Sequence, residues 1–315
     1  MALLSIVENV RYWILAGVIC AFLIGSIGDI TSTILILVLI IQMSLSMDGL
    51  VLRKKDISDN SKEIIWSAVF CFVICSGSAL LMGLLFKGAY PEIWNGWVML
   101  ASVPCAVSVI TFALYLKGDM VLSVLATTVI YFMALVITPV MTMVFAGDAI
   151  SPLQILKYVV LFIVVPLAMT YPLKYLHLNR PRKVIGINIM MFLIVLLSVG
   201  FNRDYFFTEP VVVLYIAIAC VFRTFVVSII LMHVLKRANV NRERSFVYIG
   251  MSVWKNSGLA STLCIMLLAD TPEAVLPCVI SLLIETIWFG AMGGYFEKKW
   301  PAELGPNDPK PLSKA

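Results

Sequence analysis

Uninterrupted apolar runs of about 20 residues constrain this chain more than any other feature, because that is the length a helix needs to cross the hydrocarbon of a bilayer. About ten can be laid along the sequence, at roughly 12–28, 30–52, 64–86, 95–116, 120–146, 152–173, 184–202, 210–235, 245–268 and 274–296. They are continuously apolar rather than alternating, which predicts helices and not the strands of a membrane barrel. Hydrophobic residues make up 61% of the chain and charged ones 13%, too little polar surface to coat a soluble globule of this size. The expected fold is an all-α integral membrane protein, one transmembrane domain over residues 1–315 whose last part, 300–315, is a Pro-rich cytoplasmic tail. The first run has no small-residue cleavage site after Gly28 and another run follows closely, so it reads as a retained span rather than a signal peptide.

The net charge of +5 matters less than its distribution. Of the 23 Lys and Arg, eighteen fall in loops of one side, among them Arg53 to Lys55, Arg180 to Lys183 and Lys236 to Arg244; the other side has Lys87 and Arg203. The positive-inside rule then places both termini in the cytoplasm of a multi-pass cell-membrane protein. Lys157, Arg223 and Lys255 are the basic residues inside spans, and Lys157, near a span end, is expected to snorkel. All 7 cysteines lie in apolar stretches without metal or disulfide spacing, and the 2 histidines belong to no catalytic constellation. With no phosphate loop and no paired intramembrane acids, the sequence implies no enzyme, no cofactor, no metal and no nucleic-acid partner.

Two halves of five spans are expected, 1–149 and 150–299, meeting at the polar turn from Gly147 to Pro152. An odd number of spans per half requires opposite insertion, the inverted repeat of many transporters. The fourth span of each half breaks helical rules. The first carries Ser102, Pro104, Cys105, Ser108 and Thr111, where Pro104 deletes a backbone hydrogen bond; the second carries Lys255, Asn256, Ser257 and Gly258 in an apolar run. Interrupted spans at matching places point to a midplane binding site between unwound helices, although prolines also occur in spans without such a role, as at Pro139, Pro166 and Pro277.

These residues resemble a known family. The segment Pro104 to Thr127, PCAVSVITFALYLKGDMVLSVLAT, is similar to the fourth-span signature of bile acid:sodium symporters, with Gly118, Leu122 and Ser123 in register; Lys255 to Ala260, KNSGLA, is similar to that family's ninth-span QNSGLA; and Met43 to Met47, MSLSM, resembles the step ending its second span. The resemblance implies a panel of spans 1, 2, 6 and 7, a core of spans 3–5 and 8–10, broken helices 4 and 9 that cross, and an organic anion carried between panel and core with two sodium ions behind the crossing. Ser123 and Thr127 match sodium-ligand positions, but Val109 and Ile110 stand where the family has a Ser-Asn pair, Met251 where it has a shared glutamate, and Lys255 where it has glutamine. Two hydroxyls fall short of the five or six oxygens a hard cation takes, so the sodium sites are expected to be lost.

The Lys255 ammonium offers a replacement for the ion, donating to carbonyls of the broken helix. It either stays charged, giving a uniporter or exchanger, or gives up its proton during transport, making protons a partner; a plain ion pair with Glu285 is the alternative, and Arg223 either takes Glu285 itself or contacts the solute. The leading expectation is a secondary transporter of a small organic anion working by alternating access in the lipid bilayer, its charge preference set by Lys255, Arg223 and helix N-termini. The alternatives are an arsenite-type efflux permease using a Cys105 thiolate and a membrane receptor that binds without moving its ligand.

Overall fold

The computed structural model describes residues 7–28, 30–47, 54–147 and 150–301; the expected tail lies outside them except at its first two positions. The described residues are helical apart from connections and one isolated two-residue β-bridge. In chain order the helices are α1 (Val10–Ile24), α2 (Ile30–Met47), α3 (Ser61–Val69) running through a π-helical turn (Phe70–Cys75) into α4 (Ser76–Leu84), α5 (Pro91–Ser102), α6 (Ser108–Tyr115), α7 (Met120–Ala146), α8 (Pro152–Leu173) and α9 (Arg180–Phe201). There follow α10 (Pro210–Val221), continued by a second π-helical turn (Phe222–Val226) into α11 (Val227–Arg237), then α12 (Arg242–Val253), α13 (Ser257–Leu267) and α14 (Leu276–Lys299). Short helices Lys54–Asp59 and Arg203–Thr208 lie in the connections.

Among the described residues, seven stretches are long and apolar enough to cross a membrane: Ile30–Met47, Ser61–Leu84, Met120–Ala146, Leu153–Leu173, Pro181–Phe201, Pro210–Arg237 and Pro272–Lys299. Of the other expected spans, α1 has 15 residues, about 22 Å of helix, and the runs 95–116 and 245–268 are each two shorter helices, α5 with α6 and α12 with α13.

The local sequence explains where these elements start and stop. Asp119 and Asn179 accept the amides of Leu122 and Arg182 at the starts of α7 and α9, as does Asn241 that of Arg244 at α12. A proline disfavours helical geometry in the residue before it, and Val103, ahead of Pro104, is extended at φ −71°, ψ 158° and ends α5. No proline ends α12; Trp254 leaves the helix at φ −103°, ψ 103°, and Asn256 restarts it by accepting the amide of Leu259 at 3.1 Å.

The helices pack in two groups. In one, α1 lies along α9, and α2 lies against both α8 and α9. In the other, α3 to α7 and α10 to α14 pack among themselves, with α7 lying against α8 of the first group and α13 and α14 also reaching back to it. Close approach inside the second group depends on Gly96 of α5, where an added Cβ would overlap the carbonyl oxygen of Ala274 just before α14.

Candidate functional site

The two helix breaks meet. Cys105 and Lys255 form the antiparallel bridge, closed by Ala106 N–H to Trp254 O at 3.0 Å and Asn256 N–H to Pro104 O at 2.9 Å. Helix ends leave carbonyls without intrahelical donors, and here side chains supply them. At the end of α5, Ala101 O accepts from Ser76 Oγ at 2.6 Å, Ser102 O from Thr138 Oγ1 at 2.8 Å and Val103 O from Lys255 Nζ at 2.8 Å. The same ammonium donates to Ser76 Oγ at 2.9 Å and lies 5.1 Å from the Phe72 ring centre. Lys255 is only 1% exposed.

Glu285 is not the partner of that ammonium, as a plain ion pair would require. The carboxylate forms its ion pair with Arg223, and also accepts from Ser281 Oγ and Ser257 Oγ, each at 3.0 Å, and from the main-chain N–H of Lys255 at 3.4 Å. Arg223, in the second π-helical turn, donates onward to Val253 O at 3.1 Å, the last carbonyl of α12. Both Arg223 and Glu285 are fully buried.

A cavity of about 480 Å³ lies between the two helix groups. Its walls include Gln42 and Met43 of α2, Asn188 and Met191 of α9, and Phe289 of α14. Facing these are the starts of both second half-helices, Ala106, Val107 and Ser108 at α6 and Asn256, Ser257 and Gly258 at α13. Of the residues singled out from sequence, Ser108, Thr111, Lys255, Asn256, Ser257 and Gly258 therefore line one cavity, while Pro104 and Cys105 are in the bridge behind it. Asn256 ties three helices together, donating from Nδ2 to Tyr131 OH at 2.9 Å and to Met43 Sδ at 3.3 Å while capping α13.

Two sequence expectations need correction. Arg223 does not reach the cavity, and Lys255 turns its ammonium away toward Ser76 and Val103, so neither cation is presented to a solute as its charge alone would suggest. Ser123 and Thr127 are both buried and absent from the cavity wall; the Ser123 hydroxyl is spent on Met120 O at 2.9 Å, and Thr127 Oγ1 has no partner among the described residues. Val109 and Met251 pack in an apolar cluster with Ala126 and Ile130. The cavity also contains polar residues that no motif singles out. Gln42 and Asn188 stand in long apolar runs, where a polar side chain is itself a signal, and Asn188 donates to the carbonyls of Val7 and Glu8 at 3.1 and 3.0 Å.

Buried polar groups at paired helix breaks, facing a cavity between two helix groups of a membrane protein, define the class as a polytopic membrane transporter. The profile of the Sodium Bile acid symporter family matches residues 33–240, well over half of the chain, and the chain belongs to that family. The matched stretch contains Pro104 to Thr127 and stops short of Lys255, so the second break is characterised by its own geometry. Comparison with individual curated proteins finds no match.

Proposed function

We propose that this chain is a secondary transporter of a small organic anion that works by alternating access and without sodium coupling, Lys255 standing in place of the ion. The observation that carries the proposal is the bridge between two broken helices whose second halves begin on the wall of one cavity. Helix starts present N–H groups without intrahelical partners and the positive end of the helix dipole; the start of α13 is answered by Glu285 and the Asn256 side chain, while that of α6 opens on the cavity and suits an anion. Most of the remaining wall is apolar, with Gln42, Ser46, Thr111, Asn188 and Thr286 as neutral hydrogen-bonding groups and Glu8 as an acid near the start of α1, a lining suited to a partly apolar solute whose acidic group sits at the helix break, away from Glu8. With the side chains at Cys105 and Ser123 outside the cavity, solute recognition falls to the helix starts and to α2, α9 and α14.

Ten spans in two inverted five-helix repeats fit this reading. The π-helical turns fall in the third and eighth segments and the breaks in the fourth and ninth, both five segments apart. The contacts of α1 with α9 and of α2 with α8 and α9 support reading these four as the panel, with α7 of the core packed against α8. The donor set does not suit sodium. Val109 and Met251 contribute no oxygen from their side chains, and an ammonium holds the carbonyl of Val103. The arsenite-type alternative draws no support from the cavity, since Cys105 is buried in the bridge. With the basic loops cytoplasmic, the cavity, which takes in Glu8, Ser46 and Val184 near helix ends on the side of the N-terminus, faces the cytoplasm.

The test is flux in proteoliposomes with a panel of radiolabelled carboxylates and sulfonates, their neutral amides as controls, and sodium replaced by choline. Uptake of an acid but not its amide, equal in both salts, is expected. Binding without flux would make the protein a receptor, and flux that needs sodium would remove the role given to Lys255.

A further inference from the structure

We propose that Arg223 is a second fixed cation of the bridge, capping the carbonyl end of α12 as Lys255 caps that of α5, so that both broken helices end on a positive charge attached to the chain. The inference extends the reading of Lys255 given above but stands on separate bonds. The C-terminal end of a helix carries partial negative charge on its unbonded carbonyls, and in hydrocarbon no water is present to satisfy them. At α5 the last donor is the Lys255 ammonium on Val103 O, at 2.8 Å. At α12 it is the Arg223 guanidinium on Val253 O, at 3.1 Å. Each contact involves one of the two π-helical turns: Arg223 belongs to the second, and the ammonium of Lys255 sits against Phe72 and the end of the first, with Cys71 Sγ 3.9 Å away.

A guanidinium has a fork of donors, and this one divides its work. The Nη2 side takes Glu285 and Ser281 Oγ, the latter at 2.6 Å, while Nη1 takes Val253 O and approaches Cys75 Sγ at 3.4 Å. Glu285 in turn accepts from Ser257 Oγ and Lys255 N–H at the start of α13, the end of a helix that favours negative charge. The ion pair therefore straddles the break of the second helix, base against the carbonyl end of α12 and acid against the amide end of α13. A counter-ion for Glu285 alone would have no need to reach Val253. With both carbonyl ends neutralised from within, the bridge needs no cation from solution.

The experiment is thermal unfolding of the purified full-length protein in detergent, in choline, sodium and millimolar guanidinium chloride at fixed ionic strength. The unaltered protein should unfold at the same temperature in all three. Arg223→Ala should lower the midpoint by roughly 5 °C or more, with guanidinium, but not choline, restoring part of the loss. The deciding variant is Arg223→Ala with Glu285→Gln, which removes the uncompensated carboxylate and so folds even where the single variant does not. A capping role predicts that guanidinium still raises its midpoint. If the response seen in the single variant disappears in the double variant, or if neither variant responds, Arg223 is only the partner of Glu285 and the proposal fails. Sodium-specific stabilisation of the unaltered protein would instead overturn the reading of Lys255, while the response of the double variant decides the role of Arg223 separately.

Discussion

Lys255→Ala is the change that most directly tests the bridge. The substitution removes three buried methylenes, worth about 0.8 kcal/mol each, and leaves the Val103 carbonyl without its donor, which costs about 1–3 kcal/mol. Ser76 is not orphaned, because its hydroxyl still has Ala101 O at 2.6 Å. The ammonium's desolvation penalty disappears together with the attractions that offset it, so the packing and orphan terms dominate and the net loss is about 3–5 kcal/mol. By the scaling of soluble domains this is a fall in midpoint on the order of 5–10 °C. The vacated space lies beside a helix carbonyl end, and a small cation that fills it at a hundred times its dissociation constant returns about 2.7 kcal/mol. Thermal unfolding in sodium, methylammonium and choline at constant ionic strength measures both effects. The Ala variant should be less stable and newly sensitive to a small cation, whereas Lys255→Met, which keeps the packing stem but leaves the Val103 carbonyl without a donor, should recover about half of the loss with little cation response. An Ala variant as stable as the parent and equally indifferent to cations would refute the reasoning, as would a parent protein already stabilised by sodium.

Four other outcomes are expected. Gly96→Ala forces α5 away from the Ala274 carbonyl and should destabilise by about 1–3 kcal/mol, read as a lower midpoint with no change in cation response. Lys255→Gln combined with Met251→Glu restores an acid and an amide beside the bridge; sodium should then stabilise the protein relative to choline, while Lys255→Gln alone shows no such preference. Asn188→Ala removes two hydrogen bonds that hold the Val7 and Glu8 carbonyls and should lower stability by about 1–2 kcal/mol, with faster proteolysis ahead of α1. Cys105→Ser should leave organic-anion flux nearly intact, because the thiol is absent from the cavity wall; selective loss of arsenite flux would transfer the assignment to the metalloid reading.

Much of the fold is legible in the sequence because lipid enforces it: apolar runs of the right length have to be helices. The break after α5 is legible for a local reason, since Pro104 dictates an extended Val103. The break after α12 has no such residue, and only the polar run KNSG marks it; its geometry comes from pairing with the first break across the fold. Lys255 is recognisable as unusual, yet its ammonium partners, Ser76 and Val103, lie 179 and 152 residues away, and no local pattern encodes a contact of that span. The same holds for Arg223, 62 residues from Glu285, and for the direction in which both cations point, which their charge alone does not reveal. Gln42 and Asn188 carry a readable signal, a polar side chain in an apolar run, that is fainter than the two breaks.

The placement of charge follows from what a broken helix needs inside a membrane. Interrupting a helix creates a carbonyl end and an amide end where no water reaches, and each must be answered by the opposite charge or by hydrogen bonds. At the second break both ends are answered from within the chain, Arg223 at Val253 and Glu285 at Ser257 and Lys255. At the first break the carbonyl end is answered by Lys255, but the amide end beyond Ala106, at Val107 and Ser108, lines the cavity. A dissociable ion at the carbonyl ends would make the shape of that cavity depend on the ion's concentration, through the same linkage that ties ligand to stability. A tethered cation removes the dependence. On that logic the acidic group of the proposed solute would supply the one charge the bridge still lacks, and its affinity should be as indifferent to sodium as the fold itself.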